Sequence, residues 1–342
     1  MARPIALPTI GQRRRKYDTP PRRMRAIPGS NIMTSHATVQ EDQINEKYLL
    51  SSRRFYSDIA LWPPQPGGID PTGWLSNFPD ARDREIATEL LNAFVFINEQ
   101  QTRAMFASAF HTLSAERSAD INGGTDPEKD WIDFTRKVHF SFPTGGFSDP
   151  AGSGHVFARM VRTTLNLKDE KDRIHDPVVL AASESSPTTP IDLIMVDDFA
   201  GTGDQFIESW LRESATGDSL NSMHANGSIR DVYFVPLVAT SHAKYTLSQE
   251  LPRVKMRPSH VLPPSYQVLP KWGTSSRIPA SMSGDIDDFL ARYARPAGYE
   301  VSDRFGYGNL GLTIGFEHSI PDCTLPIYWS QSPGWKTLRK RS

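Results

Sequence analysis

The run IDLIMVDDFAGTGDQF, residues 191–206, decides how this chain is read. It opens as an almost unbroken apolar strand and ends in two adjacent carboxylates, Asp197 and Asp198. A loop of small residues follows, and then a helix start. An apolar run of this length, bounded by turn residues, predicts a strand covered on both faces. In an open parallel sheet, ligands sit beyond the carboxyl ends of such strands. Ala200, Gly201, Thr202, Gly203, Asp204 and Gln205 occupy that position, where backbone N–H groups and the dipole of the next helix favour an anion. Each N–H to a charged oxygen contributes roughly 1.5–3 kcal/mol, so the loop needs no lysine to hold a phosphate. Paired carboxylates suit vicinal hydroxyls, directly or through Mg²⁺. In a regular strand Asp197 and Asp198 would face opposite ways. A turn at the strand end is expected to bring both onto one sugar.

The flanking sequence alternates strands and helices. VHFSF (138–142) reads as a strand and GSGHVFARMVRTTL (152–165) as a helix. GDQFIESWLRE reads as a helix, DVYFVPLVAT as a strand, AKYTLSQEL as a helix and VKMRPSHVL as extended chain. Such alternation implies a parallel sheet covered on both faces. Pro236 is awkward in a central strand, since it has no N–H to donate. Upstream, Ile86, Leu90, Phe94, Ile97 and Met105 recur at helical spacing and predict one long helix. Downstream, Leu310, Leu312, Ile314 and Phe316 alternate with small residues as a period-2 strand. Four segments are expected: a basic tail over 1–36, a helical region over 37–136, an α/β core over 137–270 and a C-terminal α+β hood over 271–342.

Composition excludes several classes. The chain has 342 residues, 38% hydrophobic and 23% charged, ordinary for a soluble globular protein. No stretch approaches the roughly 18 apolar residues of a membrane span. Cys323 is the one cysteine, so no internal disulfide forms and nothing marks an oxidising compartment. The expected location is cytoplasmic, away from membranes. The net charge of −1 hides an asymmetry, because residues 1–32 carry eight basic residues and one acid. That tail is read as a solvated leader, or as an extension upstream of a true start at Met33. Tyr17 is the one aromatic among its charges, too few for a base-stacking run, so nucleic-acid binding is not expected, and only this tail would supply it.

The 191–206 segment resembles the phosphoribosyl-pyrophosphate loop of type I phosphoribosyltransferases: apolar strand, two acids, small residues, Thr-Gly. The resemblance implies a central, mostly parallel sheet of phosphoribosyltransferase type. It makes Asp197 and Asp198 the catalytic ribose pair and the holders of Mg²⁺, directly or through water or substrate. It makes the loop through Gln205 the phosphate pocket. SFPTGGFSDPAGSGH, one strand earlier, is similar to the family's pyrophosphate loop and contributes Gly152, Ser153 and Gly154. VPLVATSHA, one strand later, places His242 near the site. The run GYGNLGLTIGFEHSIPDCTLPIYW is similar to a phosphoribosyltransferase-like branch found in bacterial conflict systems. This implies a ribosyl phosphate or nucleotide ligand, a partner protein and a defence or signalling role. The activity expected is pentosyl transfer, and the alternative is a nucleotide sensor without turnover.

The sequence departs from the family in one respect. Asp204 and Gln205 stand where a Gly and a Thr or Ser are usual. A carboxylate about 4 Å from a phosphate costs up to roughly 4 kcal/mol per charge pair at an effective dielectric of 20, unless Asp204 turns away to cap the helix. Other chemistries fit less well. A receiver domain needs an Asp ending a later strand, HAD phosphatases need Asp-x-Asp, and a Walker loop needs Gly-Lys-Ser/Thr. Ser153 lacks the outer glycines of a hydrolase elbow. Glu317 and His318 suit acid–base or metal chemistry but are read as structural, Cys323 as packing, and Trp329 and Trp335 as a core seal.

Overall fold

Among the described residues, seven strands and the helices around them are seen in the computed structural model. It describes residues 36–63, 68–120, 126–145, 153–167, 173–182 and 189–341. The basic tail of residues 1–32 and Gly152 lie outside the described residues. Residues 42–342 form one compact unit. Residues 1–41 form another, whose described part is the opening of the helix His36–Asp58.

The strands are β1 (Val95–Ile97), β2 (His139–Ser141), β3 (Ile191–Ala200), β4 (Ile229–Thr240), β5 (Lys255–Met256), β6 (His260–Leu262) and β7 (Ile314–Phe316). The main sheet runs β2-β3-β4, with β5 and β6 both pairing the far edge of β4. Every pairing in it is parallel. Side chains alternate across it as strand geometry demands. Leu193, Met195, Val232 and Phe234 pack on one face beneath Phe206, Trp210 and Leu247. Ile194, Val196, Tyr233 and Val235 pack on the other, against Phe106, Phe134, Phe140 and Phe157. Covering both faces is what makes β3 and β4 read as continuous apolar runs. The fold is therefore mixed α/β with a mostly parallel central sheet, as the strand–helix alternation implies.

Pro236 fits because of where the far edge is interrupted. In a parallel ladder the N–H and C=O of one residue point to the same side. The carbonyls of Phe234 and Pro236 accept from Arg257 and Ser259, in the gap between β5 and β6. The missing N–H therefore falls where no strand partner stands to use it.

The long helix expected through Phe94 and Ile97 is two helices, Ala81–Ala93 and Glu99–Asp120, with β1 between them. The cause is tertiary. Phe94-Val95-Phe96-Ile97 favours extended chain as much as helix, and Val95–Ile97 pairs in parallel with Ile314–Phe316. The hood is thus built from both ends of the compact unit. Trp74 stacks on Tyr328 at 5.3 Å and its indole Nε1 donates to the Ile327 carbonyl at 2.8 Å. Tyr328 donates in turn to Leu90, and Trp329 and Trp335 pack against the same core. The period-2 reading of residues 310–316 is only partly realised: the strand proper is Ile314–Phe316, preceded by a bridge of Leu312 to Thr324. Because the Ile327 carbonyl is buried with Trp74, Trp74→Phe leaves it unsatisfied. A loss of about 1–3 kcal/mol is expected, read as a lower denaturant midpoint. Among the described residues no helix is long and apolar enough to cross a membrane.

Candidate functional site

β3 does not end at the acids. Phe199 and Ala200 stay in register with Val238 and Ala239 of β4, so the turn comes three residues beyond Asp197–Asp198. The alternation of the strand therefore continues through them. Asp197 follows Leu193 and Met195 and lines a cavity of about 260 Å³ at the carboxyl edge of the sheet. Asp198 follows Ile194 and Val196, and its Oδ2 lies 2.8 Å from His318 Nε2. His318 itself packs edge-on against Phe157, at 5.7 Å, and against Phe316. One acid, not both, lines the cavity. The turn expected directly after the acids comes instead after the two further ladder residues Phe199 and Ala200.

The loop is fixed by its neighbours. The Gly201 carbonyl accepts from Thr240 Oγ1 at 2.5 Å, and the same hydroxyl oxygen accepts from Ala243 N–H, capping the helix Ser241–Glu250. Thr240 thus ties the loop to the end of β4. Gly201 has no room for a side chain, because a Cβ there would overlap the Cys323 sulfur. Gly203 takes the left-handed conformation, φ +95°, and stands at the N-cap of the helix Asp204–Leu211 with no side-chain cap. The Asp204 N–H donates to Thr202 Oγ1 at 3.4 Å, and the first-turn N–H groups after it, without a side-chain cap, favour an acceptor from outside the helix.

Asp204 does not cap that helix. It is the first helical residue, and its Oδ2 accepts from the Tyr307 hydroxyl at 3.0 Å. This bond, together with the Asp204 charge, raises the pKa of the Tyr307 hydroxyl. Gln205, Glu208 and Asp322 complete the exposed rim, and Phe206 and Phe234 line the apolar wall. Four carboxylates face or rim this space, and among the described residues no Lys, Arg or His lines it. Asp197 is only 5% exposed. Burial, and after it the charge of Asp198, hold its carboxyl well above the usual range. The Asp198 N–H donates to its Oδ1 at 2.9 Å.

Other expected site residues lie apart. Ser153 and Gly154 open the helix Ser153–Leu165, whose Phe157 touches His318, so this helix belongs to the Asp198 side of the strand. His242 is exposed on the helix that follows β4 and does not line the cavity. Glu317 is structural: its Oε2 accepts from the Glu99 N–H at 2.7 Å, at the start of the helix Glu99–Asp120. Cys323 is buried against the loop, and burial pushes its thiol pKa up. Tyr307, Glu208 and Asp322 were not singled out from sequence. Two of them come from the hood, about a hundred residues away, with no local motif. Among the described residues no three His, Cys, Asp or Glu side chains stand close enough to hold a metal ion.

The site is thus a buried acid and a glycine-bounded loop at the carboxyl edge of a parallel sheet. The chain belongs to the PRTase-CE family, which matches residues 71–341. No curated protein matches the chain. Among solved structures, orotate phosphoribosyltransferase from Aeropyrum pernix is similar at 15% identity and a TM-score of 0.24. The match covers 38% of this chain and 62% of that one, so this chain spans about three-fifths of its length.

Proposed function

We propose that the chain is a phosphoribosyltransferase-like enzyme that binds a ribosyl phosphate or nucleotide with Mg²⁺ at the Asp197 cavity. The observation that carries this reading is Asp197 itself. A carboxyl buried to this degree, beside a second acid and open to a cavity, is costly without a partner. Ribose hydroxyls would supply that partner. The loop through Gln205 would hold the phosphate on backbone N–H groups, as the family membership suggests. Asp198, fixed by His318, would hold charge beside Asp197 and set its proton affinity. In transfer, the bond from ribose C1 to the leaving pyrophosphate breaks and one to the acceptor forms.

Mg²⁺ is tested by the donor set. Asp197, Asp204, Glu208 and Asp322 are hard oxygen donors of the kind it prefers, yet no three-ligand cage stands among the described residues. Mg²⁺ is commonly held by one or two carboxylates plus substrate phosphates, so the residues fit an ion that arrives with its ligand. When bound it would neutralise phosphate charge. The family resemblance further supports a place in a bacterial defence or signalling system, in the cytoplasm, where a partner protein reads the occupied site.

One observation favours a second reading, binding without turnover: the hood's Tyr307 is hydrogen-bonded to Asp204 across the mouth of the loop. Calorimetry with phosphoribosyl pyrophosphate, nucleotides and Mg²⁺, followed by a product assay, separates the two. Binding with pyrophosphate release is expected. Binding without product supports the sensor, and no binding at all removes both.

A further inference from the structure

The helix His36–Asp58 packs one side on the hood core and leaves another side bare. Leu49 and Arg53 are buried, Leu50 and Tyr56 are partly buried in that core, and the Arg53 guanidinium lies over the rings of Tyr56 and Trp62. An ion pair of Arg84 with Glu46 pins the same side. Tyr48, Phe55 and Ile59 instead stand 76%, 57% and 53% exposed. They are seven and four residues apart, so at 3.6 residues per turn they fall within about 40° of one another around the helix. Ile59 keeps the helical bond to the Phe55 carbonyl, which carries the stripe past the last helical residue. Three large apolar side chains aligned over about 16 Å are not the scattered single hydrophobes that any surface carries.

The charges beside the stripe say what covers it. Lys47, Arg54 and Asp58 share one flank, roughly 80–120° around the helix from Tyr48. All three are exposed, and among the described residues none of them has an ion-pair partner. When a second copy of the helix is laid antiparallel on the first, with a two-fold axis between Ser51 and Ser52, Tyr48 of each copy faces Phe55 of the other. The same operation sets like flank against like flank. It brings Lys47 of one copy within two residues, about 3 Å along the axis, of Asp58 in the other. Two aromatic pairs and two ion pairs thus arise from one symmetry operation, and a foreign partner would need none of this self-complementarity. Ser51 and Ser52 at the axis are small enough for the helices to approach closely, and the Ser52 hydroxyl already donates to the Leu49 carbonyl at 2.8 Å. We propose that the chain pairs with a second copy of itself through this stripe, as an antiparallel two-fold dimer in which Lys47 of each copy meets Asp58 of the other. The proposal is independent of what the Asp197 cavity binds.

The test is sedimentation equilibrium on the full chain from about 1 to 100 μM, the range in which a small two-fold interface dissociates. The wild type is compared with Phe55→Asp, Lys47→Glu, Asp58→Lys and the double variant Lys47→Glu/Asp58→Lys. All three positions are exposed, so circular dichroism should show the fold unchanged. The wild type is expected to pass from monomer to dimer in that range. Phe55→Asp puts a carboxylate into each half of the seam and is expected to weaken the dimer at least about tenfold. Each single charge reversal sets like charges opposite one another twice over, and a loss of roughly tenfold is expected. The double variant restores opposite charges across the axis and is expected to return the affinity to within about threefold of the wild type. Association through another surface would not produce that recovery. A chain that stays monomeric throughout the range overturns the proposal. So does a dimer indifferent to Phe55→Asp, or a double variant that associates no more tightly than either single one.

Discussion

Asp197→Asn is expected to weaken binding of phosphoribosyl pyrophosphate with Mg²⁺ by at least thirtyfold, about 2 kcal/mol or more, while the fold is kept. The two readouts come from one geometry. In the native chain Oδ1 accepts from the Asp198 N–H, and the carboxyl lines the cavity. Asn keeps the first bond and turns the second atom from an acceptor into a donor, so a ribose hydroxyl loses the oxygen it would donate to. Stability moves the other way. The folded carboxyl has a raised pKa, from burial first and the Asp198 charge second, so it binds its proton more tightly than the unfolded chain does. Its contribution is therefore fully present below the unfolded value of about 3.9 and is lost as pH rises through the raised folded value. Asn cannot titrate. Between pH 4 and neutrality the variant should show a flatter decline in Tm with pH, and at pH 7 a Tm equal to or above the wild type. Calorimetric affinity and melting curves from pH 4 to 8 read both effects. A variant that binds as tightly as the wild type removes Asp197 from the site, and one that melts well below it makes Asp197 a structural residue.

What was legible in the sequence follows the range over which each feature is decided. The apolar content of β3 and β4 marks strands covered on both faces, and the loop after β3 carries its own turn chemistry in Gly201 and Gly203. These features are local, and they locate the cavity. The end of β3 was misread because Asp197 and Asp198 look like the first solvated residues. The ladder pairs Phe199 with Val238 and Ala200 with Ala239, and that pairing depends on a strand some forty residues later. β1 was invisible for the same reason on a larger scale. Phe94 and Ile97 satisfy a helical period, and only their pairing with Ile314–Phe316, more than two hundred residues away, makes the segment a strand. The site shows the same division. Its floor and loop come from one stretch, whereas Tyr307, Asp322 and the His318 that holds Asp198 come from the hood. Only residue types, such as the adjacent Glu317 and His318, hinted at a role there, and the structure divides that pair between a helix start and the acid.

Gly306→Ala is expected to be the most destabilising single substitution considered, because the hood reaches the loop through a backbone that only glycine can follow there. Gly306 has φ +71°, and a Cβ built on it would stand 2.5 Å from the Asp322 carbonyl oxygen and 2.8 Å from that of Thr324. Both are backbone atoms, the Asp322 carbonyl accepting from the Tyr307 N–H and the Thr324 carbonyl from Trp329 Nε1, so neither can yield without disturbing those bonds. With ψ −174°, Gly306 lies in a region of backbone space essentially restricted to glycine, which costs about 1–3 kcal/mol for a residue with a Cβ. The overlap adds to it, and a total of about 3 kcal/mol or more is expected. Gly217 supplies the control: it has a similar φ, +84°, but nothing within 4 Å of its Cβ position. Gly217→Ala should therefore show the cost of a positive φ without steric contact. Denaturant unfolding of both variants separates backbone conformation from steric contact, and equal losses would refute the contact. The consequence for the site is direct. Tyr307 follows Gly306, and its hydroxyl is the group that holds Asp204. If Gly306→Ala still folds, Asp204 should lose that partner, and the Tyr307 titration should fall back toward that of an ordinary tyrosine.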